Sequence, residues 1–219
     1  MKCKGKNHLI VDNVTGIEIQ TRSFIEQIDP EPKYEDLCCI ICHPHPQYGG
    51  TMQNNVVRGI RDEMLNNNIQ SVTFNFRGVG RSTGSYSNGI GEQKDLLNVV
   101  DYIKTKYKDI KRIYLTAYSF GAVVALGAAN RIKDLICLSM VAYPFGFLKN
   151  IKPDYSLNCP KLFIIGKNDK IGGYDSFSEQ YKEFRGPKSY TELTGADHFY
   201  SGYEKKIGRI CKEFLDENM

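Results

Sequence analysis

The run LCCIIC at 37–42 has no polar position to turn toward water. A strand built from it must be buried on both faces, as happens in a parallel sheet covered by helices. The segments that follow alternate in the way such a sheet needs. Residues 51–68 read as a helix, with Val57, Ile60 and Met64 on one face and the asparagine run 66–68 as its end. QSVTFNF at 70–76 is rich in β-formers and runs into a glycine-rich loop, RGVGRSTGS. Residues 92–107 form a second helical pattern, striped by Leu96, Val100, Ile103 and Tyr107. IYLT at 113–116 is a strand, 121–131 an alanine-rich helix, and 136–141 and 162–165 two more buried strands. Residues 190–193 make the last strand, and 203–215 a closing helix with Ile207, Ile210, Cys211 and Phe214 inward.

This succession of βα units predicts an α/β fold, with a mostly parallel central sheet and helices on both faces. The preceding HLIVDNVTGIEIQTRSFI reads as two strands about a turn at 13–16, an antiparallel edge pair. No repeat, low-complexity segment or linker divides the sequence, so residues 1–219 are expected to form one domain. The stretch between Tyr143 and Pro160 has room for a short excursion but not for a lid.

Charge and cysteine content narrow the function classes. A net charge of +4 is mild. The densest basic stretch, Lys104, Lys106, Lys108, Lys111 and Arg112, closes an amphipathic helix where cations favour the dipole. No aromatic or arginine-rich surface accompanies it, so no nucleic-acid partner is expected. The opening MKCKGKNHLIVDNVTG holds no apolar run of signal-peptide or membrane-span length. With seven cysteines, an odd number, this points to reduced thiols in a cytoplasmic protein without membrane association.

CIICHPHPQYGG, at 39–50, carries the spacing of a c-type haem attachment, of a redox C-x-x-C and of a metal cluster. Side chains alternate along a strand, so Cys39 and Cys42 point to opposite faces and cannot easily grip one metal or haem. They are expected as small apolar core residues, with no cofactor and no metal. The spacing of Gly78, Gly80 and Gly84 invites a dinucleotide site, but no helix starts inside the motif as a pyrophosphate requires. A structural turn pinned by Arg77 fits better, and Glu92 and Asp95 fit the first turn of a helix.

The chemistry concentrates in IYLTAYSFGA at 113–122, a strand running into a helix across a serine. A nucleophile elbow needs small residues two places either side of the serine, here Ala117 and Gly121. The turn would lift the Ser119 hydroxyl clear of the sheet and set the Phe120 N–H at a helix N-terminus, facing an oxyanion. In such folds the partners follow in the order acid, then histidine. Asp169 lies just past the strand KLFIIG, and His198 sits in GADHFY before the last helix. Asp154 is the reserve candidate for the acid, while Asp197 adjoins His198 too closely to turn toward its ring.

Four ordered segments, HPHPQYGGTMQNNVV, FNFRGVGRS, AYSFGA and GADHFY, resemble those of a small, lidless, bacterial-type group of α/β-hydrolases over about residues 35–215. Alanine at 117 departs from the usual glycine. The resemblance implies a serine hydrolase with Ser119 as nucleophile, His198 as general base and Asp169 as orienting acid. It also places the second oxyanion donor in the loop after LCCIIC. Pro44 and Pro46 lack an N–H, and similarity to the His-Gly-x turn of the wider superfamily selects His45, with Gln47 or Tyr48 behind it. His43 is then a brace for that loop. Tyr48, Tyr143, Phe145 and Phe199 are candidates for the lining of a pocket that takes a small-molecule acyl substrate. Ester, thioester and amide chemistry stay open, as do a peptidase or amidase of the same fold and a catalytically silent binding protein.

Overall fold

The computed structural model describes residues 5–145 and 153–219, so Cys3 and residues 146–152 of the excursion lie outside the described residues. The strands are β1 (Lys6–Val11), β2 (Glu18–Ser23), β3 (Leu37–Cys42), β4 (Ser71–Phe74), β5 (Arg112–Tyr118), β6 (Leu135–Val141), β7 (Lys161–Gly166) and β8 (Lys188–Leu193). The helices are α1 (Asn55–Asn66), α2 (Ile90–Lys106), α3 (Phe120–Ala129), α4 (Tyr174–Glu183) and α5 (Glu204–Glu217).

All eight strands join one sheet in the order β1-β2-β4-β3-β5-β6-β7-β8. β1 and β2 pair antiparallel at one edge, β2 is antiparallel to β4, and β4 onward is parallel. Residues of β3 are buried throughout, as the absence of any polar position requires. Its alternate side chains separate into two cores. Cys38, Ile40 and Cys42 join α2, α3 and Phe177 of α4 on one face. Cys39 and Ile41 join α1 and α5 on the other. Cys39 and Cys42 therefore face away from each other across the sheet.

Helix boundaries differ from the periodicity in instructive ways. α1 starts at Asn55 rather than 51, because Asn54 caps it by accepting from the Val56 N–H at 3.0 Å. Residues 51–53 are held otherwise, with the Met52 N–H donating to Asn75 Oδ1. α4 had no periodic signal, since Phe177 is its one buried side chain. No helix among the described residues is long and apolar enough to cross a membrane.

Candidate active site

Ligand-binding loops of parallel sheets cluster beyond the carboxyl ends of the strands. Four such loops, after β3, β5, β7 and β8, carry His45, Ser119, Asp169 and His198. Ser119 links β5 to α3 at φ 54° and ψ −120°. For a residue with a Cβ, such a conformation costs about 1–3 kcal/mol and persists only where the surroundings impose it. Here the Ser119 N–H donates to the Val141 carbonyl at 2.8 Å, and its own carbonyl accepts from Ala122. Gly121 completes the constraint: a Cβ there would lie 2.5 Å from the His43 carbonyl oxygen. The elbow and the loop after β3 thus share a contact that only glycine permits. Ala117 is fully buried among the α3-side core residues.

Ser119 Oγ lies 2.9 Å from His198 Nε2. His198 Nδ1 donates to both Asp169 oxygens, each at 2.9 Å. All three residues are buried, so solvent competes weakly for these contacts. Asp169 is oriented by the Gly172 N–H, which donates to Oδ1 at 2.6 Å. A Cβ on Gly172 would sit 2.5 Å from Oδ2, so this turn also requires glycine. Tyr118, one residue before the serine, donates its hydroxyl to the His198 carbonyl, fixing the histidine's main chain from beneath. Sequence reasoning missed Gly172 and Tyr118; the IGG after Asp169 was the available signal for the first, and nothing local marks the second.

The remaining acids lie elsewhere. Asp154 bonds to Asn130 at the far end of α3 and to Ser156. Asp197 accepts from the Phe199 N–H at 2.9 Å and stays exposed.

The loop after β3 is braced through His43. Its Nε2 accepts from the Phe76 N–H at 3.0 Å, and Nδ1 donates to the Pro44 carbonyl at 2.6 Å. Complete burial pushes its pKa down to about 4, so the ring works as a neutral two-ended tie. His45 follows, opening a short 3₁₀ turn at Pro46–Tyr48. The Phe120 and His45 N–H groups donate to no acceptor among the described residues. On the same side, the His45 ring packs on Phe120, Tyr86 and Tyr48 at centroid distances of 4.8, 4.9 and 4.7 Å.

Arg77 does pin the glycine-rich loop, and its partner corrects one expectation. Asp95 is not a first-turn helix acid: α2 begins at Ile90, and Asp95 is buried against the Arg77 guanidinium at 2.7 Å. Glu92 is the acid that serves the helix start, accepting from the Ser87 and Gly89 N–H groups.

The pocket candidates divide. Tyr48 and Phe199 are 79% and 61% exposed, the first packed on the His45 ring and the second beside the His198 ring. Tyr143 and Phe145 do not line an open pocket. They are buried among Phe163, Phe177 and Phe184 behind Asp169. The cavity they border has a volume of about 10 Å³, room for a water at most.

No protein-family model matches this sequence. An uncharacterised protein of Rickettsia prowazekii (strain Madrid E), RP471, is 26% identical over 183 residues, covering 80% of this chain and 77% of that protein. Among solved structures, an α/β serine hydrolase homologue from Coxiella burnetii superposes with a TM-score of 0.83 at 28% identity, covering 96% of this chain and 97% of that one. An α/β serine hydrolase without a lid from Xanthomonas campestris gives 0.80 at 24% identity, covering 99% and 96%. The architecture is the α/β-hydrolase fold, and the described residues add no lid domain to it.

Proposed function

We propose, from the α/β-hydrolase fold as premise, that this chain is a serine hydrolase cleaving ester-like bonds, carboxylic esters or thioesters, of small substrates. One observation carries the reading. Ser119, held in a strained elbow, contacts His198 Nε2 at 2.9 Å while Nδ1 of the same ring contacts Asp169 at 2.9 Å. That geometry suits a single chemistry: nucleophile, base and orienting acid in one line.

In the proposed cycle His198 Nε2 takes the Ser119 proton as Oγ attacks the substrate carbonyl carbon. Asp169 keeps the Nδ1 tautomer and stabilises the imidazolium that forms. The negative charge that gathers on the carbonyl oxygen is met by the Phe120 and His45 N–H groups, which have no acceptor among the described residues. Collapse expels the alcohol or thiol, which takes the proton from His198 and leaves an acyl group on Ser119. Water, deprotonated by the same ring, attacks that acyl-enzyme; the second collapse breaks the acyl–Oγ bond, releases the carboxylic acid and returns the proton from His198 to Ser119 Oγ.

Exposed Tyr48 and Phe199 suit contacts at the mouth of the site rather than a deep acyl tunnel. Short or accessible acyl groups follow from that openness. The test is labelling with a fluorophosphonate, read by intact mass and peptide mapping. One adduct on Ser119 is expected, absent in Ser119→Ala; well-folded protein that leaves Ser119 unmodified would sink the catalytic reading.

A further inference from the structure

His45 uses its side chain in a manner this chain otherwise gives to short polar residues, asparagine and aspartate above all, with threonine and serine beside them. Asn54, at φ −55° and ψ 147°, accepts from the N–H two residues on, at 3.0 Å. Asp154 and Asp197 do the same toward Ser156 and Phe199, each at 2.9 Å. His45 has φ −55° and ψ 122°, and its Nδ1 accepts from the Gln47 N–H at 3.2 Å. A short polar side chain is the ordinary choice for that turn. Histidine supplies the same acceptor and adds a ring, and the ring lies on Phe120.

The carbonyl of His45 also shapes the turn. It accepts from Tyr48 at 3.1 Å and from Gly50 at 3.0 Å, while the His45 N–H donates to no acceptor among the described residues. An acceptor role for Nδ1 requires the neutral ring with its proton on Nε2. Burial between aromatic neighbours lowers the pKa of the ring and favours that neutral form. The imidazole therefore ties together the two residues whose N–H groups face the oxyanion: it caps the turn that aims its own, and it packs on the ring of Phe120.

We propose that the His45 imidazole is a positioning group for the oxyanion hole, with Nδ1, through the Gln47 N–H, setting the direction of the His45 N–H. This rests on the serine-hydrolase reading above. Removing an oxyanion donor outright costs about 10²–10³ in kcat, so loosening one should cost less.

The experiment compares His45→Phe, which keeps a ring but loses the acceptor, with His45→Asn, which keeps the acceptor but loses the ring. Hydrolysis of p-nitrophenyl acetate and inhibition by an alkylboronic acid, which forms a tetrahedral adduct on serine, are the two readouts. His45→Phe should lower kcat about tenfold with KM unchanged, and weaken the boronate by a similar factor, as expected of an interaction made only in the transition state. His45→Asn should recover most of the loss. His45→Leu, also without the acceptor, repeats the test if His45→Phe folds poorly. Unchanged kcat in His45→Phe, or equal losses in His45→Phe and His45→Asn, overturns the proposal. Wild-type protein whose Ser119 resists a fluorophosphonate overturns the hydrolase reading, and this proposal with it, which separates the two failures.

Discussion

Two buried carboxylates organise the carboxyl edge of this sheet, and they are put to opposite uses. Asp95 accepts from the Arg77 backbone N–H at 2.9 Å and from its guanidinium at 2.7 Å, with no exposed surface of its own. Its partner is always charged, and the fork is turned wholly inward. Asp169 is equally enclosed, but its partner is an imidazole whose second nitrogen faces Ser119 at 2.9 Å. The first pair can only hold a loop. The second can hold a ring while that ring gains and loses a proton. Burial of a carboxylate is thus no mark of catalysis; what matters is whether its partner has a second face left to work with.

Substitution at the two positions should separate the roles. Asp169→Asn removes the charge that fixes the His198 tautomer and should lower kcat by about 10⁴, with folding intact. Asp95→Asn strips a buried guanidinium of its counter-charge, and breaking such a pair costs about 3–5 kcal/mol of stability. Its kcat should fall far less than that of Asp169→Asn at temperatures where the protein is folded. Urea melts and steady-state rates on both variants check the contrast. If Asp95→Asn were the catalytically crippled one and Asp169→Asn the unstable one, the comparison would be inverted.

The histidines extend the comparison. In the proposed cycle His198 takes the Ser119 proton, whereas both ring nitrogens of His43 are committed to main-chain partners, the Phe76 N–H and the Pro44 carbonyl. Its folded pKa of about 4 lies below the ordinary 6.5. A depressed pKa gives stability that is complete above the unfolded value and is lost as pH falls through the folded one. Between pH 7 and pH 5 this one ring should cost about 2 kcal/mol of unfolding free energy. His43→Gln, which does not titrate, should lose correspondingly less over the same interval in urea melts. Equal pH dependence in the two proteins would mean that His43 is not the locked ring described here.

How much of this was legible depends on the range of each interaction. Strand and helix identity came from local patterns, and β3 is the clearest example, since an all-apolar hexamer has no other comfortable place. The chain order of Ser119, Asp169 and His198 was readable because each follows a strand-like run. Their distances were not, because the loops converge only once the sheet closes. Tyr118 reaching the His198 carbonyl, and Gly172 making room for Asp169, join parts of the fold that carry no mutual sequence mark. Tyr143 and Phe145 misled for a related reason: an aromatic after a strand reads alike whether it lines a pocket or fills a core. α4 was silent because one buried phenylalanine makes no stripe.

Asp154 supplies the smallest expected effect and the sharpest check on the choice of acid. In sequence it matched Asp169 closely, since each follows a buried strand and precedes the histidine. In space, α3 separates it from Ser119. The helix runs from Phe120 at the elbow to Ala129, and Asn130 beyond its end holds the Asp154 carboxylate. A helix of that length spans about 15 Å, too far for any hydrogen bond to His198. Its hydrogen bonds to the Ser156 N–H and hydroxyl hold its pKa below the usual range, so it is ionised at neutral pH without bearing on the reaction. Asp154→Asn keeps an oxygen able to accept from Ser156, so stability and kcat should both stay within about twofold of wild type, as for most surface substitutions. A large loss of kcat in Asp154→Asn alongside near-normal turnover in Asp169→Asn would move the catalytic acid to the wrong end of α3, against the 2.9 Å contacts at His198.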